Sequence, residues 1–101
     1  MHSLLEQRKS ELAELCRSYR VEQLDVFGSM ARGEARGASD VDFVVRFSLP
    51  HDGGYADRYL NLAESLEKLL GRPVDLMTER ALTNRILRES IAADRRTVYA
   101  A

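Results

Sequence analysis

The sequence predicts an α/β or α+β fold, a sheet with helices packed on it. Two observations carry this. Apolar residues switch repeatedly between helical and alternating spacing, in the order α-β-(short α)-β-α-β-α-β. Glycine and proline fall between the periodic segments, where chain reversals belong. The 101 residues, 45% hydrophobic and 31% charged, suit a globular chain forming one domain over residues 1–101.

The first segment, residues 3–19, places Leu5, Leu12, Leu15, Cys16 and Tyr19 at three- and four-residue steps between charges, which predicts one amphipathic helix. Residues 24–27 read as a short strand stopped by Gly28. Residues 30–35 read as a brief helix, since Gly33 and Gly37 prevent a long one. Residues 41–47 form the clearest strand, β-branched and aromatic, ended by Pro50 and Gly53-Gly54. Residues 55–70 return to helical spacing through Tyr59, Leu62, Leu66, Leu69 and Leu70. Gly71 then sits at a helix C-terminal position, and Pro73 blocks continuation. Residues 74–78 predict a third strand, Leu82 to Ile91 a last helix, and residues 97–100 a closing strand.

The net charge of −1 argues against a general nucleic-acid-binding surface, which requires a basic excess. Cys16 is the only cysteine, so no internal disulfide forms and a reducing cytoplasm is the expected setting. Its place in a helical apolar pattern makes it a core residue rather than a nucleophile. Charged residues follow Met1 closely, unlike a signal peptide. No stretch reaches the ~20 apolar residues of a membrane span. A protein in the cytoplasm with no membrane contact is expected.

The chemistry concentrates in residues 28–42. Strand alternation puts Asp40 and Asp42 on one side of their strand, with Val41 and Phe43 on the other. Two carboxylates so placed repel, and a divalent cation relieves the conflict. Magnesium prefers one or two protein carboxylates, with phosphate and water completing its octahedron. Gly28 lets the backbone approach an anion, and Ser29 offers a hydroxyl and an N–H to phosphate oxygens. Asp75, inside the apolar run Val74-Asp75-Leu76-Met77, is an acid among inward-looking neighbours that wants a partner or a metal, unless it stands on an edge strand and faces water. If its strand lies beside that of Asp40 and Asp42, three carboxylates converge.

Gly28-Ser29-x-Ala31-Arg32-Gly33 followed by Ser39-Asp40-x-Asp42 resembles the fingerprint of the polymerase-beta-like nucleotidyltransferase superfamily. The short chain is similar to its minimal nucleotidyltransferase (MNT) branch, best known as the antitoxin of HEPN–MNT toxin–antitoxin pairs. The resemblance implies the nucleotidyltransferase fold, a mixed sheet of about four strands with helices packed on it. It implies that Gly28, Ser29 and Arg32 bind the triphosphate of ATP and that Asp40, Asp42 and Asp75 are catalytic. The same three would ligate two Mg2+ ions. An acceptor hydroxyl would attack the α-phosphate and release pyrophosphate.

Other residues read more plainly. Arg32 clamps phosphate or braces its loop against Glu34 or an aspartate; Arg36 is a solvated charge. Ser39 supports the turn before Asp40. His2 and His51 are exposed, and Arg95-Arg96 is a charged surface pair. Tyr55, Tyr59 and Tyr99 pack or contact a partner.

A chain this short has little surface for holding an acceptor, so a partner or a second copy must supply it. The resemblance implies a HEPN ribonuclease toxin as protein partner, with AMP placed on a tyrosine. Two other readings stand beside this: an antitoxin that neutralises by binding alone, and nucleotidylation of a small hydroxylated molecule by a homo-oligomer.

Overall fold

The computed structural model describes residues 3–33, 40–48, 54–82 and 84–101. Expectations for His2, Glu34, Arg36, Ser39 and His51 fall outside these residues. The elements are α1 (Ser3–Gln7), α2 (Lys9–Ser18), β1 (Val21–Phe27), α3 (Ser29–Arg32), β2 (Val41–Phe47), α4 (Tyr55–Leu70) and β3 (Val74–Thr78). A 3₁₀ turn (Glu79–Ala81), α5 (Arg85–Asp94) and β4 (Arg96–Ala100) complete the order. The four strands form one sheet in the order β3-β2-β1-β4. β1 pairs antiparallel with β2 and β4, while β2 and β3 run parallel. The expected mixed sheet with helices packed on it is what forms.

The boundaries of β2, α4 and β3 match the sequence pattern. Gly71 adopts the left-handed conformation (φ 66°), and its N–H donates to the Glu67 carbonyl at 2.8 Å, closing α4. Other segments differ from expectation. The first helix breaks at Arg8 (φ −103°, ψ 14°), which lets Leu5 and Leu12 both reach the core. β1 begins at Val21, three residues early, because Val21 is buried and pairs with Phe47. Leu82 lies outside the last helix: the 3₁₀ turn precedes it, and the Asn84 side chain caps α5 by accepting from the Leu87 N–H at 3.1 Å.

The main core lies on one side of the sheet. Leu24, Val26, Val41, Phe43, Val45 and Leu76 meet Leu5, Leu12 and Cys16 of the first two helices and Leu62 and Leu66 of α4. Cys16 is fully buried, and burial pushes its thiol up to about 12, so it is a packing residue as expected. The opposite side holds a smaller cluster, Val44, Leu82 and Ile91, with Phe27 and Met77 against it. That side carries the acidic residues.

Candidate active site

Asp42 is the second residue of β2. Its register neighbours are Phe27 of β1 and Asp75 of β3. Paired residues on adjacent strands point to the same face, with strands ~4.8 Å apart, so Asp42 and Asp75 stand side by side. Asp40 precedes β2 and is exposed. Asp42 is half-buried, and its carboxyl is held above the ordinary carboxylate range. Burial is the first cause; the charges of Asp75 and then Asp40 add to it. Asp42 and Asp75 are therefore adjacent, and Asp75 and Asp40 both act on the Asp42 charge. Among the described residues, no group of three or more acidic, histidine or cysteine side chains is placed to hold a metal ion. Carboxylate oxygens are nonetheless the donor type that a hard divalent cation prefers.

Gly28 ends β1 beside this pair. Its φ of 73° is left-handed, and a Cβ built there would lie 2.9 Å from Asp42 Oδ2. Glycine is needed twice, for the backbone turn and for room beside the carboxylate. The Gly28 carbonyl accepts from the N–H groups of Ala31 (3.1 Å) and Arg32 (3.2 Å), which closes the single turn of α3. Met30 and Ala31 are buried in the main core and pin that turn against the sheet. The helix stops at Gly33 (φ 76°), short of the expected residue 35. The Ser29 backbone opens α3.

Two expectations need correction. β3 is an edge strand and Asp75 is exposed, so this acid is not forced by burial to seek a partner. Its neighbours Val74 and Leu76 pack on the core while Asp75 faces the other way; its significance comes from standing beside Asp42. Arg95 is not a surface charge. Its Nε donates to Asp25 and its Nη2 to Glu79 at 2.5 Å, and the Asp25 side chain is only 3% exposed. Gln23 Nε2 donates to both Asp25 oxygens at 3.0 Å. Asp25 pairs in register with Val44, so this clasp lies on the acidic side of the sheet. The sequence held a signal for it: an acid between Leu24 and Val26 in a strand requires a counter-charge. Arg32 Nη1 lies 2.6 Å from Asp94 Oδ2 at the end of α5.

The nucleotidyltransferase domain family matches residues 9–99. A candidate protein adenylyltransferase of Methanocaldococcus jannaschii is 41% identical over 76 residues, 75% of each chain. The protein adenylyltransferase MntA of Thermococcus cleftensis is 39% identical over 87 residues, 85% of this chain and 81% of its own. The chain thus belongs to the nucleotidyltransferase domain family. A solved structure of a candidate minimal nucleotidyltransferase superposes with TM-score 0.76 at 36% identity, covering 95% of both chains. The complex of tri-AMPylated Shewanella oneidensis HEPN toxin with its MNT antitoxin gives 0.65 at 18% identity, covering 96% of this chain and 73% of the matched one. That last likeness speaks to fold.

Proposed function

We propose that this chain is a magnesium-dependent protein adenylyltransferase that moves AMP from ATP onto a tyrosine hydroxyl of a HEPN-type toxin, acting as its antitoxin. The observation carrying the proposal is the Asp42–Asp75 pair, in register beside the left-handed Gly28 turn, in a chain similar to adenylyltransferases along most of its length. Gly28 and Ser29 bind the triphosphate through backbone and hydroxyl. Arg32 stands at the far end of the same turn of helix, where its charge favours the polyphosphate while Asp94 orients it. Asp40, Asp42 and Asp75 hold two Mg2+ ions, which would polarise the α-phosphate and stabilise the attacking and leaving oxygens. The tyrosine O–H gives up its proton towards Asp75, its oxygen bonds the α-phosphorus, and the bond to the β-phosphate oxygen breaks. The products are tyrosyl-AMP, pyrophosphate and a proton.

A HEPN-type toxin incubated with this chain, α-labelled ATP and Mg2+ is expected to acquire label. Asp40→Asn with Asp42→Asn should lower labelling by at least ~10³-fold, the scale of losing electrostatic stabilisation of a transition state, while complex formation persists. If the double variant still neutralises the toxin in cells, the chain works by binding and the catalytic reading falls.

A further inference from the structure

A groove of about 600 Å³ opens between the first turns of α4, β3 and the 3₁₀ turn, with Ala56, Tyr59, Leu60, Asp75, Met77 and Ala81 among its lining residues. Its walls are apolar, and Leu60 is 64% exposed. We infer that this groove receives the tyrosine-bearing segment of the protein acceptor. The inference rests on the adenylylation reading above and adds the acceptor's route.

In-line displacement puts the attacking oxygen and the departing pyrophosphate on opposite sides of the α-phosphorus. The sheet order runs β3-β2-β1, so Asp75, Asp42 and Gly28 form a row across it. With the β- and γ-phosphates at the Gly28 turn and the α-phosphate at Asp42, the attacking hydroxyl must arrive from the Asp75 side. The groove is on that side, and Asp75 is part of its wall.

The lining also constrains what enters. Side chains of α4 already engage two outward backbone groups of β3, which opposes the addition of a strand there. The Tyr59 hydroxyl donates to the Leu76 carbonyl, and Glu67 Oε1 accepts from the Val74 N–H at 3.4 Å. The occupant is therefore a side chain with apolar neighbours, inserted edgewise. An aromatic ring covers such walls and presents its hydroxyl to Asp75; serine or threonine is too short to do both.

Leu60→Glu and Ala56→Glu test this, since both positions are exposed and both variants should melt as the parent does. Each is expected to raise the KM for the HEPN partner at least tenfold, with kcat and the Kd for a non-hydrolysable ATP analogue with Mg2+ within twofold of the parent. Ile86→Glu adds the same charge on α5, where Ile86 is 79% exposed, and is expected to label like the parent. Unchanged KM in the groove variants overturns the inference. So does weaker binding of the ATP analogue, which would assign the groove to the nucleoside, or an equal defect in Ile86→Glu. Failure of the parent itself to label the partner removes the adenylylation reading, and the acceptor groove with it.

Discussion

One side of the sheet sends Leu24, Val26, Val41, Phe43 and Val45 into a core closed by α1, α2 and α4. The other sends out Asp42 and Asp75, with a smaller apolar cluster among the described residues: Val44, Leu82 and Ile91 of α5, with Phe27 and Met77 against them. Strand alternation builds both sides from the same residues in turn: Val41, Phe43 and Val45 face one way, Asp42 and Val44 the other. Stability is concentrated where the helices cover the sheet. Chemistry is concentrated where cover ends, and there the like charges that would attract a cation oppose one another when it is absent.

The sharpest test of that contrast is to empty the covered side. Phe43 is fully buried at the centre of the larger core, so Phe43→Ala should cost about 3–5 kcal/mol, through lost transfer energy and a residual cavity. Equilibrium urea unfolding measures it. A loss under ~1 kcal/mol would mean that the two sides do not divide stability in this way.

How much of this contrast was legible in the sequence differs by side. β2, α4 and β3 were readable because β-branched alternation, the leucine spacing and Gly71 all agree locally. The start of β1 was not: Glu22 and Gln23 look like loop, and Val21 earns its strand place only by pairing with Phe47. The break between α1 and α2 was hidden too, because it falls at Arg8 (φ −103°), where no glycine or proline marks it. In the candidate site, Asp40-x-Asp42 and Gly28 were visible as a local motif. That Asp75 pairs in register with Asp42 depends on strand order, which periodicity does not encode. The clasp of Arg95 on Asp25 and Glu79 joins residues up to 70 positions apart, beyond the reach of any local pattern.

That clasp is the next place to press. It fastens the junction of α5 and β4 to β1 and to the 3₁₀ turn, on the side with the lesser apolar cover. Glu79, first among the causes, and Asp25 hold the Arg95 guanidinium in its charged form against the effect of burial. Arg95→Met leaves the buried Asp25 side chain with Gln23 as its remaining partner among the described residues. The expected loss is about 3 kcal/mol, the low end for breaking a buried pair, since Arg95 keeps 22% of its side-chain exposure. Adding Asp25→Asn should recover most of it, because the orphaned charge and not the missing attraction dominates the penalty. A double variant as unstable as Arg95→Met would show that Arg95 acts through packing instead.

The smallest effect has the opposite sign. In the folded chain Asp42 keeps its proton above the ordinary carboxylate range, owing to burial and then to Asp75 and Asp40. Over that window the folded state binds more protons than the unfolded state, so stability falls as pH rises through it, and the deficit persists at neutral pH. Asp42→Asn removes the charge while keeping the shape. Without divalent cation it should raise Tm at neutral pH and flatten the decline on leaving acid pH, in contrast to Phe43→Ala, which lowers Tm at every pH. Excess Mg2+ should raise the Tm of the parent, because a ligand bound only by the folded state stabilises it, and should have much less effect on the variant. Calorimetric melts from pH 4 to 8, with and without Mg2+, read all of these together. If Asp42→Asn melts below the parent in the absence of metal, Asp42 is supporting the fold, and the division of labour between the two sides of the sheet does not hold at its central residue.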